Sequence, residues 1–497
     1  IDAYDTGVYA LADSSSATVN QTGDIVSHAG NGIYVYAPDG AASVTGSGSI
    51  LSEKTGVYVD STGNYTPATV DRSGDITSLS GSGIVALASR GIVSVTNSGA
   101  IIAAGDGIQA QNTSDRAVTV DQSGSITAGG YGIYAYSTNG SVSVLGTGDI
   151  QSGNTGVYAL ADGAATSVNQ TGDIVSSGGY GIYASSPFST VSVTGSGSIA
   201  AQQTALYAAS YGTATVDRSG DINSQSGSGI IAVSSIGAVS VTNSGSIIAA
   251  DDGISATNQS ASPVTVDQSG SIIALDHGIY AYSTNGSVNV LGTGNILSGD
   301  TAVYALADGG NVSVNQTGEI VSFGGYGIYA STPWGGVSVT GSGRVASGDT
   351  AIMATTLGTG SATVDRSGEI YSQNGSGIVA TATLGAVSVT NDGAIDVAKD
   401  GIYAVNGSAN AVTVDQSGSI LAGGYGIYAT SPQGAVNVLG TGDITAQDTG
   451  VYAVADSAAV SVHQSGDITS IDGYGIYASA PASTTSVTGS GDITALE

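Results

Sequence analysis

A tetrapeptide of the form Gly-Ile-Tyr-Ala returns twenty times along the 497 residues, with first residues at 7, 32, 56, 83, 107, 132 and onward to 475, mostly 24 or 25 apart. No feature restricts the possible folds more. A unit this short cannot bury an apolar face alone, and only stacking on neighbouring copies can. About ten residues after each tetrapeptide comes a Val-Ser-Val or Val-Thr-Val segment, as at Val142-Ser143-Val144, and then Ser/Thr-Gly-x-Ile, as at Thr147-Gly148-Asp149-Ile150. Each repeat therefore holds three short strand-like pieces separated by Gly, Ser, Asn and Asp.

Aligning the copies assigns side-chain directions, because strand residues alternate between faces. The second tetrapeptide position is always Val, Ile or Leu, and the fourth is Ala except at Val35 and Val59. The position between them is Tyr in fourteen copies but Gln109, Ser255 or Met353 in others. The uniform aliphatic columns are read as inward and the variable tyrosine column as outward. In the second strand Val faces in and Ser or Thr out; in the third Ile faces in and a polar residue, often Asp, faces out. The fold class that follows is all-β: a single-domain right-handed parallel β-helix, or β-solenoid, of about twenty coils with three strands each. Strands ~4.8 Å apart along the stack give it an expected length of roughly 95 Å, and right-handed crossovers are the rule for parallel strands.

A longer period overlies the coil. Val-Asn-Gln-Thr-Gly begins at 19, 168 and 314, and Val-Asp-Arg-Ser-Gly at 70, 216 and 364, spacings of 146 to 149 residues. Residues 1–497 are expected to form one domain of six-coil blocks covering about 7–155, 156–301, 302–449 and, in part, 450–497. The chain opens within a third strand and stops just before the next tetrapeptide, so an excerpt of a longer solenoid, or capping by neighbouring material, is expected. A Gly precedes every third strand, at 23, 48, 74 and on to 491, with Ser or Thr before it except at Asp392. Such a corner is expected to need positive φ.

Composition narrows the chemistry. Net charge is −30, from eight Lys and Arg against thirty-eight Asp and Glu. Nucleic-acid backbones and anionic membrane surfaces need clustered cations, so neither is an expected partner. With no cysteine there is no thiolate metal site. No run approaches the ~18 apolar residues of a membrane-spanning helix, so no membrane span lies in this segment.

The alternating Gly-Ile-Tyr-Ala at 181–184 and Val-Ser-Val-Thr-x-Ser-Gly-x-Ile at 191–199 resemble the passenger regions of large alphaproteobacterial autotransporters and related secreted β-helix adhesins. The likeness covers essentially the whole chain. It implies an extracellular or bacterial cell-surface location and export, unfolded, through a C-terminal barrel, a route that suits a chain without cysteine. No such barrel and no signal peptide occur in these residues, and a self-assembling surface filament of similar coils would read the same way.

Repetition separates scaffold from candidate site. Asp71-Arg72 with Asp75 could hold an acidic sugar, but the set recurs as Asp217-Arg218 with Asp221 and as Asp365-Arg366 with Glu369, and is read as duplicated surface ion pairs. His28, His277 and His463 read as isolated. The residue after the corner glycine is often acidic and mostly interleaved with neutral neighbours; only Asp149 with Asp173, and Asp443, Asp467 and Asp492, adjoin. The latter three are weak candidates for divalent-cation binding, and no cofactor is expected. Interaction candidates are the outward Tyr134, Tyr158, Tyr183 and Tyr329, and the loop-tip Phe188 and Trp334, each after a proline. The expected function is a non-catalytic, rigid extracellular stalk or filament segment whose partners are glycans, cell surfaces or identical copies. A carbohydrate-active β-helix enzyme, and more remotely an ice-binding protein, are the alternatives.

Overall fold

The computed structural model describes residues 1–496 and divides into two compact units, Ile1–Ala250 and Asp251–Glu497. Each is a parallel β-solenoid of the right-handed type, with about twenty coils along the chain and three strands per coil. No helix among the described residues is long and apolar enough to cross a membrane.

Three parallel sheets wall each unit. The tyrosine sheet contains strands such as Ile133–Ser137, the valine sheet Val142–Gly146 and the isoleucine sheet Ile150–Ser152. Successive coils pair without slippage: Ile133 lies on Val157, Tyr134 on Tyr158 and Ala135 on Ala159. In the second unit Ile279 lies on Val303 and Tyr280 on Tyr304. Register is held because a one-residue slip would turn every buried aliphatic outward. Ile133, Ala135, Val144 and their counterparts in the interior coils are buried, while the intervening residues are mostly partly exposed; in the last coil Val487 and Ile493 are exposed. The inward and outward columns read from the repeat are the ones observed.

The corners close through hydroxyls. Ser137 Oγ donates to Arg116 O (2.9 Å) and accepts from Gly140 N (2.9 Å), while Ser152 Oγ donates to Asn154 O (2.8 Å). These bonds satisfy carbonyls and amides that have left the ladders.

The corner glycine before the isoleucine sheet departs from expectation. Positive φ among glycines occurs at Gly46, Gly195, Gly341 and Gly489, one strand earlier, and not at Gly48, Gly74 or their equivalents. Glycine is required at the corner by crowding instead. A Cβ at Gly48 would collide with the carbonyl of Gly23, one at Gly74 with that of Gly48, and one at Gly99 with that of Gly74.

Arg72, Arg218 and Arg366 are also corrected. They are not surface ion pairs. Each is only 1% exposed, because the strand alternation carries the residue two beyond the inward Val back to the inside. Arg218 Nη1 donates to Gln170 O (2.7 Å) and Thr194 O (3.0 Å), and its Nη2 to Gly197 O. Arg366 repeats this with Gln316 O (2.8 Å), Thr340 O (2.9 Å) and Gly343 O (2.6 Å). Burial lowers both guanidinium pKa values to about 10, leaving the groups charged at neutral pH. Down this column the residues run Gly46, Arg72, Asn97, Gln122, Gly146, Gln170, and the same order resumes at Gly195 and Arg218. Each Gly makes room for its long neighbour: a Cβ at Gly195 would meet Arg218 Nη1, and one at Gly146 the Gln170 amide.

Candidate interaction surface and the His277 turn

The outer face of the tyrosine sheet carries ladders of rings. Tyr134, Tyr158, Tyr183 and Tyr207 stack with centroids 5.0, 4.8 and 5.0 Å apart and planes within 7° of parallel. Tyr9, Tyr34 and Tyr58 form a similar stack in the first unit, as do Tyr280, Tyr304 and Tyr329 in the second. A fourth ladder runs Tyr403, Tyr428, Tyr452, Tyr477. A second column leans edge-on against these rings: Tyr131 lies 5.4 Å from Tyr134 and 5.7 Å from Tyr158, inclined at 63° to both.

This geometry separates the predicted interaction residues into two kinds. The faces of Tyr158 and Tyr183 are covered by neighbouring rings, so these tyrosines offer edges and hydroxyls. Their stacking stabilises adjacent coils by about 0.5–1.5 kcal/mol per pair. Burial pushes the phenols up: Tyr158 reaches about 12, chiefly by desolvation with repulsion from Tyr183 and Tyr134, and Tyr58 about 12, by desolvation with help from Asp60. Phe188 and Trp334 are the other kind. They are 73% and 71% exposed at corresponding corners of the second and third blocks.

Neither is alone, which sequence reasoning missed. Tyr211 and Ile236 follow Phe188 in the next two coils, and Leu357 and Leu384 follow Trp334, all exposed. Backbone bonds keep the corners in step, such as Ile236 N to Tyr211 O (2.8 Å) and Leu384 N to Gly358 O (3.2 Å). Each unit thus displays an apolar ridge in the sense of exposed apolar side chains at the corners of three successive coils. The signal was available in the 146-residue offset between Phe188 and Trp334, and again between Tyr211 and Leu357.

The acidic column is mainly structural. Asp443 Oδ1 accepts the backbone N–H of Asp467 (2.9 Å), and Asp467 Oδ1 that of Asp492 (2.8 Å). Asp24 Oδ1 takes both the N–H (2.9 Å) and the hydroxyl (2.8 Å) of Ser49, and the hydroxyl bond is the largest of the effects that hold the Asp24 carboxyl below its ordinary pKa. Arg344 pairs with Glu319 at 3.1 Å and faces Glu369 at 3.9 Å.

His277 is not isolated. Its Nδ1 lies 3.0 Å from Asp252 Oδ1 and 3.4 Å from Asp276 Oδ1, and its Nε2 lies 4.0 Å from Asp300 Oδ2. The ring occupies the edge-on place that Tyr131 fills elsewhere, 5.6 Å from Tyr280 and 5.7 Å from Tyr304. The hydrogen bond to Asp252 raises the imidazole pKa above its ordinary value, against the opposing effect of burial. His28 and His463 also have partners in the adjoining coil, Asp2 Oδ1 at 2.7 Å and Thr488 Oγ1 at 3.0 Å. Distance along the chain hides these pairs; adding one coil length to each residue number would have found them.

No known protein family matches the chain, and neither a curated protein nor a solved structure does.

Proposed function

We propose that this chain is a non-catalytic structural and adhesive segment of a bacterial surface, serving as an adhesin stalk or as part of a filament. The observation that carries the reading is the duplicated apolar ridge, Phe188-Tyr211-Ile236 in one unit and Trp334-Leu357-Leu384 in the other. Exposed aromatic patches are characteristic of contact surfaces. The same contact repeated on one chain multiplies weak binding by raising the effective concentration of the second site. Tyrosine ladders beside the ridges stiffen the surfaces that hold them. Glycans, whose apolar ring faces pack on Phe and Trp, are the partners such ridges suit, and identical copies are the second candidate.

Purified protein would be tested for adhesion to glycan-coated surfaces and for self-association by sedimentation, beside the Phe188→Ser/Trp334→Ser variant. Adhesion or association in the parent and its loss in the double variant supports the reading. Unchanged behaviour of the double variant, or release of soluble products from acidic or neutral polysaccharides, overturns it.

A further inference from the structure

The six-coil duplication supplies an internal comparison for the His277 turn. The equivalent turn reads Gly129-Gly130-Tyr131 in the first block, Leu275-Asp276-His277 in the second and Gly423-Gly424-Tyr425 in the third. The aspartate one coil earlier is present in all three, as Asp106, Asp252 and Asp400. In each it caps a backbone N–H: Tyr131 N at 2.8 Å, His277 N at 3.2 Å and Tyr425 N at 2.9 Å. That shared bond is the structural duty of the position. Only in the second block do an added carboxylate and an imidazole join it.

We propose that Asp252, Asp276 and His277 bind a single divalent transition-metal ion of the zinc class, with Asp300 as the carboxylate partner of the ligating imidazole. Their donor atoms all lie within 4.8 Å of one another. Ligands at about 2.0–2.2 Å from a zinc-class ion sit about 3.0–3.5 Å apart along the edges of its coordination polyhedron. The Nδ1–Oδ1 separations of 3.0 and 3.4 Å match those edges. An imidazole nitrogen distinguishes this set from an acidic patch, because nitrogen donors favour zinc, copper and nickel, whereas all-oxygen sets favour magnesium and calcium. Asp300 Oδ2 lies 4.0 Å from the opposite nitrogen, Nε2, an ion-pair distance on the side where a carboxylate orients a metal-bound imidazole. The frame is rigid: His277 is wedged against Tyr280 and Tyr304, and Asp252 is anchored to the backbone. His277 and Asp252 are only 21% and 17% exposed, while Asp276 at 47% leaves an entry path.

The test is calorimetric titration of the metal-free full chain with Zn²⁺, and separately with Ca²⁺, together with the visible spectrum of the Co²⁺ form. One Zn²⁺ per chain and a Co²⁺ spectrum showing nitrogen ligation are expected. His277→Tyr and Asp276→Gly, which restore residues the sister turns already tolerate, should abolish both signals while the β-sheet circular dichroism stays unchanged. Asp300→Asn should weaken binding about tenfold, and Asp443→Asn should leave it intact. Zn²⁺ binding that survives His277→Tyr, binding of Ca²⁺ alone, or absence of a saturable site in the parent chain would each overturn the proposal.

Discussion

The turn ending in Tyr131 and the turn ending in His277 are one piece of architecture carrying two chemistries. Beneath them Ile133 and Ile279 are equally buried, and above them Tyr134 and Tyr280 each begin a ladder. Both turns keep the aspartate that caps the backbone of the following coil. What differs is one triplet, Gly-Gly-Tyr against Leu-Asp-His, and with it an aromatic edge becomes a polar cluster with three carboxylates around one imidazole. The stacked core fixes backbone and register so firmly that the outside of a turn is free to change.

That comparison fails if the two interiors are unequal. Ile133→Ala and Ile279→Ala should each lose about 2–5 kcal/mol locally and agree with each other, read by hydrogen exchange of the flanking strands; a wide gap would show that the turns differ beneath the surface. Arg218→Ala should cost roughly 3 kcal/mol, since the carbonyls of Gln170, Thr194 and Gly197 lose a buried charged donor. Arg366→Ala should do the same in the other unit, both measured by urea denaturation.

The ladders set a smaller scale. Tyr158→Ala removes the stacks on Tyr134 and Tyr183, which contribute about 1–3 kcal/mol together. Tyr304→Ala removes the stacks on Tyr280 and Tyr329 and the edge contact of His277, just as Tyr158→Ala also removes the edge contact of Tyr131, so the two should cost about the same. Alkali tests the same rings. The folded Tyr158 pKa of about 12 lies above the ordinary phenol value of 10.0, so its contribution is fully present below pH 10 and is lost as pH rises through 12. Tyrosinate absorbance should therefore lag behind that of the urea-unfolded chain. Least of all, exchanging the outer residues by Tyr131→His or His277→Tyr should move stability by under about 1 kcal/mol in metal-free buffer, as followed by thermal melting.

The inward columns of Ile, Val and Ala were readable because nearly every coil repeats them, and the outward Tyr column because fourteen of twenty copies carry it while the others vary. Arg72 was misread for want of one step: carrying the alternation of Val70 and Asp71 to the next residue turns Arg72 inward, and the order Gly, Arg, Asn, Gln, Gly, Gln says the same over six coils. The corner glycines were placed correctly but explained wrongly, because a carbonyl of the preceding coil is invisible in the local sequence. The His277 cluster fell outside the reading for the opposite reason: it is a single departure from the repeat, and it shows only when the blocks are laid against one another.

The buried polar column at the corner sets a rule for how such a chain can grow. Arg218 needs the hollow left by Gly195, and Gln170 the hollow left by Gly146, so a coil removed or added singly would bring two bulky heads into one socket or leave a socket empty. A cycle of six restores every pairing of head and socket. The spacing of 146 to 149 residues between equivalent motifs obeys that arithmetic. The inside of the wall thus keeps count, like the teeth of a ratchet, for a protein whose outer turns are free to vary.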